Sequence, residues 1–75
     1  MNNERLLAER LRIGTEIKAL RKKRGLTLFK LAELTGLNYQ NINRVELGKY
    51  STGQDLLNTI LFALDARFEI VEQNH

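Results

Sequence analysis

Apolar residues recur at helical spacing through most of this chain. Leu6, Ile13, Ile17 and Leu20 form one stripe between about Asn3 and Arg24, and Leu7, Leu11 and Gly14 widen it at its N-terminal end. This pattern predicts a long first helix. Lys22, Lys23 and Arg24 fall in its last turn, where cations complement the helix dipole, and Gly25 stands where a helix stops. Thr27 is placed to cap a short second helix that runs through Leu28, Leu31 and Ala32 to about Thr35 and is broken by Gly36. A third helix opens at Asn38, turns Ile42 and Val45 inward and closes at Gly48. A fourth follows Ser51-Thr52-Gly53 and reaches Leu64, with Leu56, Leu57, Ile60, Leu61 and Leu64 apolar. Ser51 and Gln54 have the spacing of a capping box. Connections this short, without proline, imply a compact helical bundle.

The last segment changes period. From Ala66 to Glu72, Phe68 and Ile70 alternate with Arg67 and Glu69, which predicts a strand. One strand cannot satisfy its own ladder, so a second copy of the chain is the simplest source of a partner. With Phe68 opposite Phe68, each Arg67 faces a Glu69; a shift of one pairing step sets Glu69 against Glu69. Phe68, Ile70, Arg67 and Glu69 are therefore the expected dimer interface. The alternative is a frayed tail, or a strand-like extension that packs on the fourth helix of its own chain.

A chain of 75 residues holds one core. Its apolar share of 43% suits a folded domain and excludes a disordered tail. There is no cysteine, which removes disulfides and thiolate metal sites. No apolar run exceeds Ile60 to Leu64, and Glu4 and Glu9 interrupt the place a signal peptide needs apolar, so the expected location is the cytoplasm and no membrane partner is implied. The net charge of +3 is unevenly spread. Residues 1–24 carry eight Lys/Arg against Glu4, Glu9 and Glu16, whereas residues 54–75 set Arg67 against Asp55, Asp65, Glu69 and Glu72. Such polarity fits one region toward phosphates, and it also fits ordinary charged helix surfaces. The only histidine, His75, is terminal and has no sequence neighbours suited to metal binding, and no nucleophile–base set or paired carboxylates can be assembled. No enzyme, metal or cofactor is expected.

The informative stretch is LFKLAELTGLNYQNINRVEL, residues 28–47. Two helices crossing steeply need a small residue at closest approach, which Ala32 provides. The tight turn between them needs a backbone conformation best tolerated by glycine, which Gly36 provides. Leu31, Leu37, Ile42 and Val45 then fill the wedge. With Ile42 and Val45 inward, the outward face of the third helix falls between Gln40 and Leu47, with Asn43 and Arg44 on either side. Amides suit adenine edges and guanidinium suits guanine, so Gln40, Asn43 and Arg44 are the expected base contacts. Thr27 and Asn38 sit at helix N-termini, where N–H groups favour an anion, and Lys30 is a further phosphate candidate. Glu46 turns toward the core and is expected to pair with a basic residue of the first helix.

The stretch resembles the Cro/C1-type helix-turn-helix family of phage-repressor and XRE-like regulators. The likeness spans about Ile13 to Leu64 and includes IKALRKKRGLT, ELTGLN and INRVELGK. It implies an all-α, lambda-repressor-like bundle, with residues 1–12 extending the first helix, 13–65 forming the DNA-binding domain and 66–75 the strand and tail. It also implies base contact at Tyr39, whose ring is equally suited to pack on a sugar-phosphate edge, and backbone contact at Lys49. Two positions depart from the family pattern. Asp65 stands where a glycine is frequent, and Leu28 stands where glutamine commonly holds a phosphate. The implied function is a homodimeric, sequence-specific transcriptional regulator, a repressor on a palindromic double-stranded operator. Short members with a C-terminal strand resemble antitoxins, which bind a toxin protein and repress their own operons. A protein-interaction module that keeps the fold without reading DNA is the alternative from another class.

Overall fold

The computed structural model describes residues 3–51 and 53–73. Four helices follow in order: α1 (Asn3–Lys23), α2 (Leu28–Thr35), α3 (Tyr39–Glu46) and α4 (Gln54–Ala63). Every helix expected from the apolar period is present. No described helix is long and apolar enough to cross a membrane. The core is a single cluster of Ile17, Leu31, Ile42, Val45, Leu57, Ile60, Leu61 and Leu64, one or more from each helix and from the end of α4. Contacts run α1 to α3, α2 to α3 and α2 to α4.

The first helix outruns this core. Its 21 residues span about 32 Å at 1.5 Å per residue, more than twice the length of α2 or α3. Leu6, Leu7 and Leu11 therefore keep exposed side chains, and of the predicted stripe Ile13, Ile17 and Leu20 reach the core. The extension is helical as expected, but its apolar side is not covered by this chain.

Three of the four helix ends are fixed by backbone bonds of one kind. After α1, Leu26 N–H donates to Arg21 O and Gly25 N–H to Lys22 O; after α3, Lys49 donates to Arg44 and Gly48 to Val45. After α4, Ala66 donates to Leu61 and Asp65 to Phe62. Each is the paired 6→1 and 5→2 closure that needs a left-handed residue just past the helix. Gly25 and Gly48 fill that place in two cases, and Asp65, at φ +57°, fills it in the third. The glycine frequent at position 65 in the family thus has a conformational reason, and aspartate is among the few other residues that tolerate it.

Two expectations need correction. The capping box does not form: Gly53 is the N-cap of α4, and no side chain caps it. The strand does not form either. Residues 66–73 run on without a ladder, because a single chain offers no second strand to pair with. Instead Ala66 and Phe68 turn back, half-buried, against the core, and Arg67 pairs with Glu69 of its own chain at 3.0 Å. Ile70 and Val71 remain exposed. The tail therefore follows the alternative, an extension lying on its own bundle. His75 lies outside the described residues.

Candidate nucleic-acid interface

The two helices of the motif are set by their caps. Thr27 Oγ1 accepts from Lys30 N–H at 3.0 Å and opens α2. Asn38 Oδ1 accepts from Gln40 N–H at 2.7 Å and opens α3. Each satisfies one of the four N–H groups left bare at a helix start, a contribution of about 1 kcal/mol. Both predicted phosphate residues thus have a first task inside the protein, and both remain exposed. Between the helices Gly36 adopts φ +74° and donates its N–H to Ala32 O. No atom crowds the place of a Cβ there, so glycine is required by conformation and not by space.

Ile42, Val45 and Glu46 bury one side of α3, which presents Gln40, Asn41, Asn43 and Arg44 on the other. Among the described residues none of these four side chains makes a hydrogen bond or ion pair, and neither does Lys49. Donors of this strength that are left unspent on one helix face form a surface suited to base edges. Asn41 and Arg44 also line a shallow groove of about 260 Å³ together with Lys49, Tyr50 and Ser51. Burial pushes the Tyr50 hydroxyl above its ordinary range, so it stays a neutral wall of that groove. Lys30 is placed differently. Its ammonium meets Glu33 one turn on at 3.1 Å, so its charge is partly countered.

Basic residues of the first helix divide into two kinds. Arg21 is buried, with 7% of its surface exposed, and grips Glu46, which is 4% exposed. Nε lies 2.6 Å from Oε2 and Nη2 3.1 Å from Oε1, while Nη1 donates to Leu26 O at 2.8 Å. The expected pairing of Glu46 with the first helix is therefore present, as a fork. Arg24 donates to Leu64 O at 3.1 Å and ties the end of α1 to the end of α4. Arg12, near the middle of α1, pairs with Glu9 and Glu16 on the surface, and its hydrogen bond holds the Glu9 carboxyl below the usual range. The charged cluster Arg21–Arg24 is thus partly structural.

Close approach of α1 to α3 depends on Gly14. A Cβ there would lie 2.2 Å from Val45 O and 2.8 Å from Glu46 O, both backbone atoms. Leu28, where the family pattern has glutamine, packs half-buried against the core. One residue of the face escaped sequence reasoning. Phe29 is 67% exposed, and its ring lies against that of Tyr39, centroids 4.5 Å apart. The helical phase that turns Leu28 and Leu31 inward already sends Phe29 outward.

Comparison with known proteins agrees with this geometry. A family model described as Helix-turn-helix matches residues 17–69. The crystal structure of the clp gene regulator ClgR from C. glutamicum superposes with a TM-score of 0.72 at 28% sequence identity, covering 76% of this chain and 73% of that one. No curated protein matches at a significant level. The family match takes in the last third of α1, both helices of the motif, their glycine turn and all of α4, and on that span the chain belongs to the helix-turn-helix family, of Cro/C1 type.

Proposed function

We propose that this chain is a homodimeric, sequence-specific repressor that reads operator bases through Gln40, Asn43 and Arg44, with Tyr39 at the edge of the contact. A DNA-binding transcriptional regulator is the function its family and its likeness to ClgR support. One observation carries the finer reading: the outward side of α3 holds two kinds of base-reading group, amide and guanidinium, with no partner among the described residues. A solvated helix face without a ligand is ordinarily rich in Glu and Lys. Phosphates are held by Lys49 and by the helix starts at Thr27 and Asn38, with Lys30 adding less because Glu33 already meets it. Two such units, with their third helices about 34 Å apart, enter successive major grooves of a palindrome. The exposed Ile70 and Val71 beside Phe68, with Arg67 and Glu69, supply the surface between the copies.

The test begins with duplexes recovered by the full chain from a random pool and follows binding by fluorescence anisotropy across a salt series. Arg44→Ala should lower discrimination at one base pair per half-site by about 5–150-fold, the worth of one bidentate contact. Lys49→Ala should weaken cognate and scrambled duplexes alike and reduce the salt slope by about one. Equal losses on both duplexes for Arg44→Ala refute its base-reading role. A chain that sediments as a monomer on its cognate duplex refutes the dimer.

A second reading, an antitoxin that represses its own operon, has one observation in its favour. Leu6, Leu7 and Leu11 stay exposed on a helix extension outside the motif. It requires a toxin encoded next to this gene and bound by this chain but not by its Leu7→Glu variant.

A further inference from the structure

Phe29 is the least expected residue on the interface side of the motif. A Phe ring two-thirds exposed on a short helix gives up most of the stabilisation that burial offers. It is not drawn there by the core, which takes its neighbour Leu28 and leaves out both Phe29 and Tyr39. Its one aromatic contact among the described residues is the Tyr39 ring, with planes tilted by 38°. The pair joins the start of α2 to the start of α3. N-terminal residues of the second helix of such a motif are those that meet base edges. An apolar ring at that edge cannot bind a phosphate and cannot donate to a base. The one apolar group that the major groove offers is the C5-methyl of thymine.

We propose that Phe29, braced by Tyr39, is a specificity-determining residue that selects a thymine methyl under the N-terminal end of α3. This rests on the DNA-reading function proposed above and adds to it a reader from α2, outside the recognition helix. Two features support it. Tilted ring contact at this distance holds the Phe29 ring in place before binding, so little freedom is lost on contact. And Gln40, next to Tyr39, is free to take the neighbouring base, so a methyl reader and a hydrogen-bonding reader stand side by side. Leu47 is the other exposed apolar residue in this direction, but it lies past the C-terminal end of α3.

The experiment uses the duplexes recovered by the wild-type full chain, with each thymine replaced singly by deoxyuridine, which removes only the methyl. One thymine per half-site should lose about fourfold in wild-type affinity on replacement, the value of one buried methyl group. Phe29→Ala, checked for helical content by circular dichroism, should bind the thymine and uracil duplexes equally. Tyr39→Phe, which keeps the ring and removes the hydroxyl, and Leu47→Ala should both retain the difference. Should no thymine show the loss, or should Phe29→Ala weaken both duplexes by one factor and keep their ratio, the inference is overturned while the regulator reading stands. If the difference disappears with Leu47→Ala instead, the methyl reader is Leu47 and the inference is again overturned. A pool that yields no preferred duplex overturns both together.

Discussion

Removing one partner of the Arg21–Glu46 fork should come close to unfolding this protein. Both side chains are more than nine-tenths buried, and the fork has two N–H···O contacts, at 2.6 and 3.1 Å, with the third guanidinium nitrogen on Leu26 O. Among the described residues no buried side-chain polar atom lacks a partner, so nothing stands ready to replace a lost one. Glu46→Ala leaves a guanidinium charge buried against α3, a penalty of about 3–5 kcal/mol. A chain of 75 residues has about 4–11 kcal/mol of total stability. With a urea dependence of about 1 kcal/mol per molar, near the small-protein limit, the midpoint should fall by about 3 M or more. Replacing both partners, Arg21→Met with Glu46→Leu, removes the charge together with its counter-charge. What remains is Leu26 O without its donor, a loss of about 1–3 kcal/mol. The double variant should therefore be more stable than either single one, measured by urea unfolding followed by circular dichroism. Single losses under 1 kcal/mol, or a double loss equal to their sum, would refute the view that the fork acts as one buried unit.

Two further substitutions set opposing effects against each other. Gly14→Ala should gain about 1 kcal/mol from helix propensity, yet its Cβ meets Val45 O at 2.2 Å, and neither helix backbone can give way cheaply. We expect a net loss of about 1–3 kcal/mol in thermal melts, as in overpacked cores, and a stabilised variant would show that α1 and α3 can slide apart without cost. Asp65→Gly should do the reverse. The residue sits at φ +57° just past α4, and relief of that conformation should add up to about 1 kcal/mol, less the entropy that glycine brings to the unfolded chain. A variant less stable than the parent would mean that the Asp65 side chain contributes more than its backbone strain costs.

Sequence reasoning found all four helices because each signal is local. Thr27 and Asn38 announce two starts, Gly25, Gly36 and Gly48 three stops, and the 3.6-residue period supplies the inward faces. The Glu46 pairing was also legible, since a carboxylate on the inward side of α3 must find a cation and the first helix supplies one. What escaped was non-local. Alternation at Ala66–Glu72 is a strand pattern, but a strand exists only when a second one pairs with it, and within one chain Phe68 gains more by covering the core. Ser51 lost the capping position because the helix begins two residues later than the box requires, after Gly53. Phe29 was passed over because an apolar residue in an apolar helix reads as core until the phase of Leu28 and Leu31 is fixed.

The positions of these locks give the recognition helix two unequal ends. Gly14, the Arg21–Glu46 fork and Gly48, where a Cβ would come within 2.8 Å of Leu11 Cα, all act on the last turn of α3 or just past it. Ahead of Ile42, which is in the core, Tyr39, Gln40 and Asn41 are exposed and are held by the Asn38 cap and by the contact of Tyr39 with Phe29, both at the surface. The C-terminal end therefore sets where α3 sits, whereas the N-terminal end, which carries Tyr39 and Gln40, keeps room to adjust to a base pair. Substitutions in α1 should accordingly reduce affinity for all duplexes through lost stability while leaving the order of preference among sequences unchanged. Substitutions at Phe29 or Gln40 should change that order while leaving the melting temperature nearly alone. Separate effects of this kind are what a helix clamped at one end requires, because strain introduced at the clamp is shared by the whole helix, whereas a change at the free end stays with the base it meets.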